Sequence, residues 1–220
     1  MSVERARAAE LLARADEWLE RTRTDGEVRA GWSRPTDVVL VLGSAQRLPA
    51  PGAALRRSTG GGAVSCDDHY LMLDVVLPRG HPLVIDDVGQ SYRWLARALL
   101  AALEARGAAL RAVTPREAAA LPIAERAAAR LACFAGTGSY ELVMSDGRKL
   151  FGLAQRRRGG AALLQAAAYV APPRLDVAAW LGLPRDQEHR LRARLARIAT
   201  LDEVAPGFAD APPPALELVP

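Results

Sequence analysis

The chain has 220 residues, is 50% hydrophobic and 25% charged, and carries a formal net charge of +4. This composition is that of an ordinary globular chain with enough length for one sizeable core, and no apolar run is long enough to span a bilayer. Aromatic residues make up only 5% and the arginines are scattered through helical stretches without stacking partners, which argues against nucleic acid. The N-terminus shows acid and base early with no apolar stretch behind it. A cytoplasmic protein with no secretory leader is expected, and Cys66 and Cys133 are expected to be reduced.

Residues 2–22 read as an amphipathic helix capped by Ser2, with Leu11, Leu12, Ala15, Trp18 and Leu19 on one stripe. A polar stretch runs to Pro35. Val38 to Leu42 reads as a short buried strand ended by Gly43, a Pro/Gly/Ala loop covers 48–53, and Leu55-Arg56-Arg57 is a short extended piece. Tyr70 to Leu77 is a second strand, stopped by Pro78. Asp86 or Asp87 opens a helix carrying Trp94, Leu95, Ala98, Leu99, Ala102 and Leu103, closed by Gly107. Leu110 to Val113 reads as a strand. Thr114-Pro115-Arg116-Glu117 is a capping box with Pro at the first helical position, opening a helix over 116–131 broken near Pro122.

Glu141–Met144, the turn Ser145-Asp146-Gly147, Arg148–Arg157, the turn Gly159-Gly160 and Ala161–Val170 predict a three-strand meander. A short helix from Asp176, a longer one over 185–199 and a Pro-rich tail complete the chain. The expected fold class is α/β (α+β): a mixed β-sheet flanked by helices. One domain over 1–220 is expected, with an N-terminal helix 2–22, a core 35–170 and C-terminal helices and tail over 175–220.

Of the 29 basic residues only one is lysine, Lys149. Arginine replaces lysine at little cost on a solvated surface. It does not where a compact ammonium must touch one oxygen, so a lone lysine in this background is a functional candidate. Lys149 follows the Asp146-Gly147 turn at the start of a strand. Alternation predicts Lys149, Phe151 and Leu153 on one face and Arg148, Leu150 and Gly152 on the other. A desolvated ammonium there would act strongly on a polarised carbonyl or phosphate, with small Gly152 and Ala154 leaving room for a ligand chain. The plain alternative is an edge-strand guard.

Two further constellations stand out. In Arg57-Ser58-Thr59-Gly60-Gly61-Gly62-Ala63 the glycines allow positive φ and let N–H groups converge on an anion, with an arginine beside them. The alternative is a plain turn. Cys133 lies at a helix end before a Gly-containing loop, either as a nucleophile needing activation or as a small buried apolar side chain. Asp67 and Asp68 follow the glycine loop and offer Mg²⁺ ligands, a group that orients a base, or a turn.

Arg56-Arg57-Ser58-Thr59-Gly60-Gly61-Gly62-Ala63-Val64 with Asp67, followed by Gly147-Arg148-Lys149-Leu150-Phe151-Gly152-Leu153-Ala154-Gln155, resembles the paired fingerprint of the lipoate–protein ligase A and octanoyltransferase family within the biotin/lipoate ligase superfamily. Val39 to Gln46 resembles the segment preceding the first motif, and the likeness covers roughly 35–170. Two linked motifs are far more specific than either alone. The resemblance implies a catalytic domain like the class II synthetase core and the transfer of lipoate or octanoate to a lysine of a lipoyl-domain acceptor protein.

In the ligase form ATP and Mg²⁺ give an acyl-adenylate. Lys149 touches the acyl carbonyl and α-phosphate, and Arg57 with Gly60, Gly61 and Gly62 cradles the intermediate. Some relatives of the ligase carry its accessory domain on another chain, and a separate accessory-domain chain is a partner this form implies. Cys133-Phe134 ahead of Tyr140-Glu141 resembles instead the cysteine-dependent octanoyltransferases, in which Cys133 forms an acyl thioester without ATP. The ligase is the first expectation and the transferase the second. A non-catalytic lipoyl-group binder is the third, because Cys66 and Leu164 to Ala167 stand where the family carries histidines.

Overall fold

A computed structural model describes residues 3–47, 54–215 and 219. The predicted cap Ser2 and the 48–53 loop lie outside the described residues.

The N-terminal helix begins later than its apolar stripe predicts. Glu4–Ala6 is an edge strand, β1, and α1 spans Ala8–Asp25. The start is set by tertiary contacts: the Asp37 carboxylate accepts from Ala8 N–H at 2.7 Å, and Glu10 accepts from Arg7 N–H. Gly26, at φ +76°, ends the helix in the left-handed region. The polar stretch after it hides a strand, β2 (Arg29–Pro35). Gly31 lies directly beneath the Trp18 ring, where a Cβ would meet the indole at 2.9 Å, so the sequence there reflects a helix lying on a strand and not strand propensity.

The strands that follow are β3 (Val39–Leu42), β4 (Leu55–Arg56), β5 (Val64–Cys66), β6 (Tyr70–Leu77), β7 (Leu110–Ala112), β8 (Leu142–Met144), β9 (Lys149–Arg158) and β10 (Ala161–Tyr169). The helices are α2 (Arg93–Glu104), α3 (Pro115–Ala120), α4 (Ile123–Leu131), α5 (Val177–Trp180), α6 (Arg185–Leu195) and α7 (Leu201–Val204). The Thr114 capping box forms as predicted. The predicted meander is β8-β9-β10, antiparallel throughout. Helix α6 stops at Leu195, short of the predicted 199, and Ala199 N–H instead donates to Lys149 O.

The main sheet runs β1-β2-β6-β10-β9-β8-β7, with β1 parallel to β2 and its other pairs antiparallel. A second sheet, β4-β3-β5, carries the glycine loop between β4 and β5. This is the mixed sheet with flanking helices that the sequence predicts.

Strand β6 is buried on both faces, and its alternation separates two cores. Leu71, Leu73, Val75 and Leu77 pack with Leu95 and Leu99 of α2 and with Phe208. Tyr70 and Met72 face α1 and the small sheet. The Pro-rich tail packs on the first core: Trp32 Nε1 donates to Pro213 O at 2.8 Å, and Phe208 stacks edge-on against Trp32 and Phe151.

Candidate active site

The register of the sheet places a line of small residues under the small sheet. Gly152 of β9 is opposite Ala167 of β10, which is opposite Met72 of β6. One step along, Ala154 is opposite Gln165, which is opposite Asp74. The floor made by Gly152, Ala154 and Ala167 is low, and a largely apolar cleft opens above it. Leu12, Val41, Val64, Tyr70 and Met72 close its sides, and Arg57 and Cys133 line it.

Lys149 does not share the face that strict alternation gives it. The pairs Leu142↔Phe151 and Val143↔Lys149 show a β-bulge that puts one extra residue in β9. Bulges re-aim side chains. Here the bulge turns Lys149 to the Gly152 side while Phe151 stays in the opposite core, against Phe208. Lys149 Nζ lies 2.7 Å from Cys133 O, 3.2 Å from Gly136 O, 4.0 Å from Cys133 Sγ and 2.6 Å from Glu141 Oε2. It also sits 5.2 Å from the centre of the Phe134 ring. A Cβ on Gly152 would come within 3.2 Å of both Cys133 Sγ and Lys149 Cε. The glycine therefore leaves the space in which thiol and ammonium meet.

Lys149 is only 4% exposed. Burial opposes its charge, but Cys133 and the Glu141 carboxylate outweigh that and hold the ammonium above its ordinary value. Of the two free cysteines, Cys66 is buried and burial pushes its thiol far up, so it is a poor nucleophile. Cys133 is half-buried and opens on the cleft.

Of the predicted loop residues, Arg57 alone lines the cleft. It donates to Gly60 O through Nε and Nη2 and to Gly62 O through Nη2, while Nη1 is buried without a partner. Gly61 takes φ +94°, and a Cβ on Gly62 would strike Ala129 O at 2.6 Å and the Ala132 backbone at 2.7 Å. Ala63 bridges Ala132, and its carbonyl accepts from Cys133 N–H at 3.0 Å. Thr59 is buried and donates to Gln165 Oε1 at 2.5 Å; Gln165 donates to Asp74, which also accepts from Arg14. Ser58 is half-buried on the loop and does not line the cleft.

The loop is thus braced to the sheet by Thr59 and holds the Cys133 segment through Ala63. Asp67 stands apart from the cleft. Its carboxylate accepts from Ser65 Oγ, His69 N–H and Arg174 N–H, and Asp68 pairs with Arg174. The two aspartates offered for Mg²⁺ are already taken by protein partners. Among the described residues no cluster of three or more His, Cys, Asp or Glu side chains forms a metal site.

Sequence reasoning missed Glu141 as a site residue and also Tyr70 and Gln165. Glu141 left a trace in the Tyr140-Glu141 pair, but its contact with Lys149 depends on the bulge and on a turn at Tyr140 that no periodicity reveals.

The lipoyl protein ligase A/B catalytic domain family model matches residues 41–205. The octanoyltransferase LipM of Moorella thermoacetica is 35% identical over 185 residues, covering 79% of this chain and 64% of that protein. The octanoyltransferase LipM of Kyrpidia tusciae is 32% identical over 190 residues, covering 82% and 65%. The chain therefore spans slightly less than two thirds of the length of these curated relatives.

Among solved structures, the bipartite lipoate protein ligase of Thermoplasma acidophilum, studied with its E2 lipoyl domain, superimposes with a TM-score of 0.65 at 19% identity over 93% of this chain and 76% of that one. An ATP-bound lipoate-protein ligase A gives 0.62 at 19% identity over 100% and 81%. At this identity they establish the shared fold, which is the one the two motifs imply. No helix among the described residues is long and apolar enough to cross a membrane.

Proposed function

We propose, since the chain belongs to the lipoyl protein ligase A/B catalytic domain family, that it is an acyltransferase moving an octanoyl or lipoyl group through a thioester on Cys133. The observation that carries this reading is the approach of Lys149 Nζ to Cys133 Sγ, 4.0 Å apart, beside Gly152: Cys133 and Gly152 line the apolar cleft, and Lys149 reaches the thiol from a neighbouring cleft behind that wall. An adenylate-forming ligase has no need of a thiol there. Two relatives similar in sequence are named octanoyltransferases, which supports placing the transferase reading ahead of the ligase one.

The chemistry divides into two exchanges. The Cys133 sulfur, as thiolate, attacks the carbonyl of an acyl thioester donor. A new C–S bond forms, the donor's C–S bond breaks, and the donor thiol leaves with the proton that Cys133 gave up. Lys149 holds a fixed positive charge, in a site shielded from water, where negative charge develops on the carbonyl oxygen. The unpartnered Arg57 Nη1 offers a second donor at the cleft wall. In the second exchange the amine of a lysine on a lipoyl-domain acceptor attacks the Cys133 thioester. A C–N bond forms, the C–S bond breaks, and the sulfur takes up the amine's proton. The acyl chain lies along Gly152, Ala167 and Met72 throughout.

Intact-mass measurement tests this directly. The chain incubated with an octanoyl thioester donor and no ATP gains one octanoyl group, which is lost in Cys133→Ser and passes to an added lipoyl domain. An unmodified chain that modifies the lipoyl domain only when ATP and free octanoate or lipoate are supplied overturns the thioester reading in favour of the ligase. Binding of the acyl group without either reaction leaves only the non-catalytic binder.

A further inference from the structure

Glu141 is 6% exposed, and its carboxylate lies under the reacting pair. Oε2 is 2.6 Å from Lys149 Nζ and also accepts from Gly138 N–H at 2.6 Å; Oε1 accepts from Leu153 N–H at 3.1 Å. One carboxylate therefore ties together the ammonium, the turn after Cys133 and the strand that floors the cleft. The backbone strains to put it there. Tyr140 takes φ +66°, and no other non-glycine residue among those described has positive φ. A bulky residue there is an outlier that its surroundings must hold. Val113 O accepts from Tyr140 N–H at 2.6 Å, and the Tyr140 hydroxyl donates to Gln90.

A charged Cys133 sulfur also raises the Lys149 ammonium, but an acylated Cys133 carries no charge, which leaves Glu141 as the standing counter-ion among the titratable and charged groups near the pair. Arg57 is a cation held by the loop carbonyls. Tyr70, Tyr92 and Cys66 are all pushed up by burial, Tyr92 to about 12, and stay neutral. Asp74, farther along the floor, is engaged with Arg14 and Gln165.

We propose that Glu141 is a positioning residue for the reacting pair: it is the standing counter-ion of the Lys149 ammonium, and it holds Nζ beside Cys133 Sγ, next to where an acyl group on that sulfur would lie. The proposal rests on the thioester reading above for its purpose. The arrangement means that Lys149 meets the incoming acyl donor already charged and already paired. It acts as fixed positive charge and not as the base that removes the Cys133 proton.

The sequence supplies its own probe. Lys149 is the only lysine in the chain, so protein grown with ¹³C-lysine gives a single lysine Cε signal whose pH titration reports this side chain alone. In the unmutated chain the signal titrates above the ordinary lysine value of 10.5. In Glu141→Gln the midpoint falls, Glu141→Asp restores most of it, and octanoylation of Cys133 loses kcat with little change in KM. Titration of the unmutated chain at or below the ordinary value overturns the proposal, whether or not the variants fold. So does a Glu141→Gln midpoint that matches the unmutated one. The titration needs no acyl donor. A chain that shows the expected titration but never acylates Cys133 sinks the thioester reading and leaves the counter-ion role standing.

Discussion

The backbone N–H of Cys133 donates to the carbonyl of Ala63 at 3.0 Å, so the proposed nucleophile hangs from the strand that leaves the glycine loop. Ala63 N–H in turn donates to Leu131 O at 2.9 Å. Gly62 makes the approach possible, because its bare Cα lies against the Ala129 and Ala132 backbone at distances no Cβ tolerates. The first motif thus serves as the mount for Cys133 as well as the frame of the cleft wall.

Gly62→Ala follows from that contact. The colliding atoms are backbone, so the loop and the end of α4 must separate. The cost expected for such overpacking is about 1–3 kcal/mol, a fall in melting temperature of roughly 2–12 °C for a chain of this size. Cys133 octanoylation should fall more steeply than stability, since Cys133 moves with the loop. Calorimetry alongside intact-mass kinetics checks both. A variant with unchanged melting and unchanged acylation would show that the loop does not carry the nucleophile.

Much of this was legible in the sequence, for reasons tied to particular residues. The Asp146-Gly147 turn fixed the meander, because Gly147 takes φ +83° and the flanking runs alternate. Lys149 stood out through composition alone. The bulge at Leu150 could not be read, because inserting one residue leaves the apolar pattern intact while reversing the face of the lysine. Strand β2 was hidden because Arg29, Gly31 and Arg34 answer to tertiary partners: Thr22 and Asp25, the Trp18 ring, and Asp68 O. The span 2–22 merged a strand with a helix for a similar reason, since the cap on Ala8 comes from Asp37, far along the chain.

Gly152→Ala isolates geometry from stability. The new methyl would sit 3.2 Å from Cys133 Sγ and from Lys149 Cε, and both are ends of side chains that can yield. Stability should change by no more than about 1 kcal/mol. Displacing a reacting group by even a fraction of its reach is expensive for rate, and a loss on the order of 10²-fold in acylation is expected. Rapid-quench acylation kinetics set beside a urea melt separate the two. An acylation rate within a factor of about two of the unmutated chain would rule out this glycine as the floor of the site.

The Lys149–Glu141 pair also predicts how stability depends on pH. The ammonium is held above its ordinary value of 10.5 in the folded chain. Its contribution is therefore fully present below that pH and is lost as pH rises through the higher folded value. Removing one partner of a buried pair costs about 3–5 kcal/mol, so Glu141→Gln should be clearly less stable than the unmutated chain near neutrality. Above the ordinary lysine value the gap should narrow, because the unmutated chain is then left with an uncompensated Glu141. Urea unfolding across the alkaline range checks the sign. A gap that stays constant there would mean that Lys149 is not the group titrating.

The length of the cleft predicts which acyl chains it accepts. From Gly152 through Ala167 to Met72 it crosses two strand spacings, about 10 Å, which is close to the length of an extended octanoyl chain. Along this row Gly152 and Ala167 are small and Met72 is the large side chain. Ala167→Leu should fill the middle of the path and favour shorter acyl donors. Met72→Ala should open the end and admit longer ones. Discrimination in an apolar slot runs at about 1–3 kcal/mol per methylene, or roughly 10- to 200-fold, so competition between butanoyl, octanoyl and dodecanoyl thioesters, read as the mass of the adduct on Cys133, resolves the shift. If both variants keep the selectivity of the unmutated chain, the acyl group does not lie along this row, and the apolar cleft between β6 and β9 is not its site.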